Sequence, residues 1–183
     1  MKLLLPVALL SIIFSAGFSQ QNIASFPEIG PTQAFGDDIY FSATHDQYGI
    51  ELFVRKGEDK TTSLLRDINP GHLNSSPSEL TIFNNQIFFI AHTPDYGGSV
   101  WKTDGTSGGT QLVYGAKNAH PAGLMVFKNK LYFTTDFGSI MRTDGTAAGI
   151  EVFYQSEYTY GRIQTVKTDD QYIYFTSDGR TIY

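Results

Sequence analysis

The chain repeats itself, and that periodicity restricts its fold more than any single motif does. Phe35-Gly36-Asp37-Asp38-Ile39-Tyr40-Phe41, Phe83-Asn84-Asn85-Gln86-Ile87-Phe88-Phe89 and Phe127-Lys128-Asn129-Lys130-Leu131-Tyr132-Phe133 align without a gap, and Val166 to Phe175 follows with a longer turn. A second apolar pair stands at Leu52-Phe53, Val100-Trp101, Ile140-Met141 and Ile182-Tyr183, at eleven, eleven, seven and seven residues beyond the aromatic Phe of its own copy. A third apolar position, Leu64, Leu112 or Val152, lies twelve residues after Leu52, Val100 and Ile140 in the three complete copies. Each unit of roughly 44 residues therefore reads as strand, Asn/Asp turn, aromatic strand, loop, strand, Gly turn, strand. Such a unit leaves a sheet face bare until a neighbour covers it, so successive copies are expected to stack through Phe, Tyr, Leu and Ile.

The fold class this implies is all-β: tandem four-stranded antiparallel blades, β-propeller-like. The repeats fall at about 34–77, 78–121 and 122–162, with an interrupted fourth at 163–183, after an N-terminal segment at 20–33. The interruption predicts a fragment or truncated product whose copies form an open arc. In the alternative, residues 21–33 add an outer strand to the last copy and close a small ring. Composition suits strands broken by turns, with 14 Phe and 11 Tyr against 18 Gly and 7 Pro.

Residues 1–19 read as a signal peptide: Lys2 precedes the apolar stretch Leu3 to Phe14, and Gly17-Phe18-Ser19 offers small residues for cleavage. That stretch is shorter than the roughly twenty apolar residues a membrane span needs and carries Pro6, so no span is expected after cleavage. The expected location is secreted or cell-surface. The chain has no cysteine, which excludes disulfides, thiolate metal sites, cysteine catalysis and a lipoprotein anchor. Once Lys2 is removed, twelve basic side chains face eighteen acidic ones without a basic cluster, which argues against nucleic acid as a partner.

The clearest turn is Thr103-Asp104-Gly105-Thr106-Ser107-Gly108-Gly109-Thr110, echoed by Thr143-Asp144-Gly145-Thr146-Ala147-Ala148-Gly149-Ile150. With Glu51-Leu52-Phe53, Trp101 and the link Leu64-Leu65-Arg66-Asp67-Ile68-Asn69-Pro70-Gly71, residues 34–183 resemble the ELWxxDGT repeat proteins of secreted bacterial origin. The first copy departs from the motif with Arg55-Lys56-Gly57-Glu58 at the turn, and Ile150 replaces the third copy's final Thr. The resemblance implies repeat architecture and export without a general enzymatic activity. Fuller members tend to continue through more repeats into a sorting domain of the type IX secretion pathway, which would make that machinery a partner of a full-length form.

Asp104-Gly105-Thr106 and Asp144-Gly145-Thr146 read as a structural turn motif, because Gly accepts positive φ and Asp bonds its own turn backbone. Repetition puts both acids at one place on successive blades, which suits structure better than a unique catalytic pair. Asp46, Asp95, Asp136 and Asp178 form a second turn set. No metal or cofactor site is expected: calcium-loop, phosphate-loop and nucleophile-elbow patterns are absent, and His45, His72, His92 and His120 lie apart in the sequence. Tyr154, Tyr158 and Tyr160 cluster in an inter-copy stretch and are the candidate ligand-binding residues. These features together predict an exported, non-catalytic repeat scaffold for binding or adhesion, with a protein or glycan ligand. The alternative is a fragment of a propeller glycan hydrolase or lyase in which Glu79, Glu157 or Asp170 converge.

Overall fold

The computed structural model describes residues 26–157, 163–177 and 180–182, with the backbone alone at 164–165 and 180–182. The signal segment 1–19, Tyr158, Tyr160 and Asp178 lie outside the described residues. Within them the chain is all strand and turn. β1 (Ile29–Phe35), β2 (Asp38–His45), β3 (Gly49–Arg55) and β4 (Thr62–Arg66) form the first antiparallel sheet in chain order. β5 (Ser78–Phe83), β6 (Gln86–Thr93), β7 (Gly97–Thr103) and β8 (Gln111–Gly115) form the second. β9 (Ala122–Phe127), β10 (Lys130–Thr135), β11 (Ser139–Thr143) and β12 (Glu151–Gln155) form the third. β13 (Ile163–Thr168), β14 (Ile173–Ser177) and β15 (Arg180–Ile182) give a three-stranded fourth sheet.

The first hairpins follow from their turn residues. Asn84-Asn85 and Lys128-Asn129 both take positive φ at the two central positions, the type I′ geometry whose twist matches that of the flanking strands. In the first copy Gly36 alone takes positive φ. In the fourth, Asp169 accepts the N–H groups of Gln171 and Tyr172, each at 2.7 Å, and so closes the longer turn.

The alternation of β2, β6, β10 and β14 gives every sheet two apolar faces with fixed roles. Phe41, Phe89, Phe133 and Phe175 mark one face, here termed leading; Tyr40, Phe88, Tyr132 and Tyr174 mark the other, trailing. Tyr40, Leu52, Val54 and Leu65 of the first trailing face bury against Ile87, Phe89, Ala91 and Trp101 of the second leading face. Phe88, Val100 and Val113 then meet Leu131, Phe133 and Met141, and Tyr132 and Ile140 meet Ile173 and Phe175. One joint is thus used three times, and at about 2 kcal/mol per fully buried large apolar side chain it is the main cohesive contribution. β1 packs beside β5 and β5 beside β9, but among the described residues no such packing joins the fourth sheet to the first, so the sheets are not closed.

Two expectations need adjusting. The first sheet begins at Ile29, ahead of the boundary expected near 34, and this strand pairs with β2. Ile29–Phe35 therefore belongs to the first sheet and is not an outer strand of the last. The third apolar position is genuine in register, with Phe53 opposite Leu64, Trp101 opposite Leu112 and Met141 opposite Val152. It is nevertheless at the rim: Val152 is 56% exposed and Leu112 36%; the residue that follows it is buried in the first two copies, as Leu65 and Val113, but exposed in the third, as Phe153. A bulge between the two residues of each apolar pair shifts the outermost strand in all three complete sheets.

Candidate functional site

The DGT turns are hydrogen-bonded cages. Asp104 Oδ1 accepts the Thr106 N–H at 2.9 Å and its hydroxyl at 2.7 Å, and Asp144 Oδ1 does the same with Thr146 at 2.9 and 2.7 Å. The Thr hydroxyl then accepts the N–H of Gly109 or Gly149, each at 2.9 Å. A Cβ at either glycine would run into the carboxylate of Asp104 or Asp144, which explains the final Gly of the motif. The hydrogen bonds from the Thr side chain, then the Thr backbone, hold both carboxyls below the ordinary aspartate value. In the first copy Asp59 Oδ1 accepts the N–H and hydroxyl of Thr61 at 2.9 and 2.7 Å, so the same turn chemistry persists under a different sequence.

These turns also clasp the preceding sheet. Asn84 donates to the Asp144 carbonyl at 2.8 Å, Lys102 to the Gly145 carbonyl at 3.1 Å, and Arg66 to the Thr110 carbonyl at 2.8 Å. Gly105 lies against Tyr40, and Gly145 against Phe88 and Phe83. Asp104 and Asp144 are thus occupied in shaping a joint between sheets.

Other carboxylates are engaged in the backbone as well. Glu79 Oε2 accepts the Leu124 N–H at 2.7 Å across the β5–β9 seam, and Asp136 pairs with His120 at 2.9 Å. Glu51 is fully buried and accepts from Ser75 Oγ at 2.6 Å, Asn69 N at 3.1 Å and Ile68 N at 3.3 Å. Burial outweighs those donors and pushes its carboxyl up to about 7. Among the described residues no group of three His, Asp or Glu side chains is arranged to hold a metal ion.

Tyr154, the described member of the tyrosine cluster, is half-buried with its ring 4.6 Å from Phe175 of the next sheet. Tyr114 makes the equivalent contact with Phe133 at 5.1 Å, and Arg66 lies over Trp101 at 5.6 Å. The position at the end of each outermost strand therefore grips the following blade, and Tyr154 is one of that series.

The feature that stands outside the repeat is the leading face of the first sheet. Among the described residues no other sheet packs on it, and Phe26 covers Phe41 and Phe53 at ring distances of 5.5 and 4.8 Å, assisted by the bond from Thr44 N to the Glu28 carbonyl. Beside this strap lies a cavity of about 430 Å³ lined by Phe26, His45, Tyr48, Phe53, Thr62, Ser63 and Leu64. His45 stacks on Tyr48 at 4.9 Å and on Phe53 at 5.8 Å. The lining combines aromatic rings with hydroxyl groups and contains no carboxylate. On the same face Arg55 is wholly buried: it donates one bond to the Lys60 carbonyl at 2.5 Å, while its Nε and second terminal nitrogen lack partners. Sequence reasoning missed this surface, since Phe26 lies outside the repeat and its contacts are non-local.

No family model matches the chain, and no curated protein matches it. Among solved structures, it is similar to the computationally designed Ika4 protein at 16% identity and TM-score 0.48, covering 90% of this chain and 93% of that one. It is similar to the designed Ika8 protein at 16% identity and TM-score 0.47, covering 84% of this chain and 44% of that one. BamB from Moraxella catarrhalis gives 12% identity and TM-score 0.49, with 83% of this chain and 42% of that chain covered. The chain thus spans less than half of Ika8 and of BamB.

Proposed function

We propose that the chain is an exported, non-catalytic repeat scaffold for binding or adhesion, which takes a protein or glycan ligand on the leading face of its first blade. The observation that carries this reading is the 430 Å³ cavity, whose aromatic walls and hydroxyl rim suit recognition and supply no acid–base pair. The bonding of Asp104, Asp144, Glu51 and Glu79 within the fold supports the non-catalytic part. The pattern of residues 1–19 supports export, and the resemblance to ELWxxDGT repeat proteins is consistent with both.

The test pairs two measurements on the mature chain. Binding to surfaces coated with neutral polysaccharides or with extracellular-matrix proteins is compared for wild type and Tyr48→Ala, with at least a ten-fold loss expected in the variant. Reducing ends released from the same polysaccharides are assayed in parallel. Release that disappears in Glu79→Gln would replace the scaffold reading with the hydrolase one.

A further inference from the structure

We infer that the link from the first blade to the second, residues 67–75, is a pH-sensitive latch on the wall of the first-blade cavity, held shut by Glu51 and loosened as that carboxyl ionises. This rests on reading the cavity as a binding surface, and goes beyond it by naming how that surface is regulated. The first copy departs from the others at this place. Glu51, Ser99 and Ser139 share one position of the repeat, opposite Ala43, Ala91 and Thr135. The two serines bond within their own sheets, to the Ala91 carbonyl at 2.8 Å and to Gln155 Oε1 at 2.6 Å. Glu51 instead reaches the link, where it accepts the N–H groups of Ile68 and Asn69 and the hydroxyl of Ser75. The link it holds is also the longer one, running over 67–77 where the next runs over 116–121.

The link passes this hold on to the cavity wall. Asn69 Nδ2 donates to the Asn74 carbonyl at 3.0 Å, and Asn74 Oδ1 accepts the Ile50 N–H at 2.9 Å. The Ser75 N–H donates to the Ile50 carbonyl at 2.9 Å, the Leu73 carbonyl lies against Gly49, and His72 Nδ1 donates to the Asp46 carbonyl at 2.7 Å. These contacts bracket Tyr48 on both sides, and His45 stacks on Tyr48 to complete the wall. All three donors to Glu51 are neutral, so an ionised carboxylate there is buried without a counter-charge among them. Burial raises the carboxyl from 4.5 to about 7, and Asp67, in the link itself, adds a like charge. Undocking the link returns the carboxyl to water, so the open state gains about ten-fold per pH unit between those two values and levels off above them. The adjoining elements also bring His45, Asp46 and Tyr48 from the β2–β3 loop, His72 from the link, Glu79 from β5 and His92 from β6, whose N–H donates to the Ser75 carbonyl at 2.7 Å. All of these are retained when Glu51 alone is replaced.

Amide hydrogen exchange of the mature chain at pH 5 and pH 8, expressed as protection factors, reads the latch directly. Protection at Ile68, Asn69 and Ile50 should fall at least ten-fold relative to the amides of β10 as pH rises, and should stay nearly constant in Glu51→Gln. Asn74→Ala leaves Glu51 and its three donors in place, so it should keep the response at Ile68 and Asn69 while leaving Ile50 exchanging fast at both pH values. Binding to the neutral-polysaccharide and matrix-protein surfaces is measured at the same two pH values, and the ratio of wild type to Glu51→Gln should fall at least ten-fold. Protection that is flat in pH, or that falls equally in Glu51→Gln, overturns the proposal, as does a link that opens while the binding ratio stays constant. In those cases surface binding that Tyr48→Ala abolishes leaves the binding reading standing. A link that opens with pH in a chain that binds no surface supports the latch and removes the binding reading instead. Should Glu51→Gln fail to fold, the wild-type fall at Ile68 and Asn69 against β10, together with Asn74→Ala, decides the matter.

Discussion

Glu51 is a buried carboxyl held against its electrostatic preference, and replacing it with Gln should change how stability responds to pH. Its value rises from 4.5 to about 7 because burial disfavours the charged form more than Ser75, Asn69 and Ile68 favour it, with the charge of Asp67 adding to the rise. A carboxyl raised in the folded state contributes stability that is fully present below its unfolded value and lost as pH climbs through the folded one. At about 1.4 kcal/mol per pH unit, that span corresponds to about 3 kcal/mol. Glu51→Gln keeps an acceptor for the link backbone and cannot ionise. Urea unfolding of both proteins between pH 4.5 and 8 should therefore show the difference moving in favour of the variant by about 3 kcal/mol as pH rises. Taking the difference cancels the titration of other groups. A difference that is flat in pH, or that moves toward wild type, would show that the three donors outweigh desolvation and that the reasoning is wrong.

Gly49 and Gly97 occupy the same position in two copies with φ of 68° and 73°, yet a Cβ at Gly49 would meet the Leu73 carbonyl whereas one at Gly97 meets nothing within 4 Å. Gly97→Ala should thus cost only the strain of about 1 kcal/mol, and Gly49→Ala clearly more, as read by thermal melting. Phe133→Ala removes a ring buried in the second joint and should cost about 3–5 kcal/mol in denaturant unfolding. Tyr154→Phe should change melting little, while Tyr154→Ala should loosen the fourth blade and raise amide exchange in β14, because the ring and not the hydroxyl contacts Phe175. Asp104→Ala loses the bonds to Thr106 and should destabilise by about 1 kcal/mol. Because the Asp104 carboxyl is lowered, the wild-type advantage should be present at neutral pH and fade in acid as pH falls through that lowered value.

The sheets were legible because a repeated joint demands the same residue types at the same spacing: Phe41, Phe89, Phe133 and Phe175 each need an apolar partner from a neighbour. The role of Asp104 and Asp144 was legible for a similar reason, since a turn built from Asp, Gly and Thr is a local matter. Three features were hidden. The Asp59–Thr61 turn preserves bonds that its sequence disguises, with Thr61 standing two residues after Asp59 as Thr106 does after Asp104, but without the glycine between them. Glu51 is polar by type and buried by context, because the link residues that satisfy it are 17 to 24 positions away. The strap of Phe26 lies before the first repeat, where no period points to it.

Arg66, Tyr114 and Tyr154 make one further consequence plain. In the three complete sheets the outermost strand ends in a hook, and the leading faces of the second, third and fourth sheets offer the surface it grips, so the second and third units each carry one half of two couplings. A gene segment copied or lost through unequal recombination between units would splice one valid hook to another valid surface. The local fit would survive the change in length, and the chain could be lengthened or shortened without redesigning any single contact.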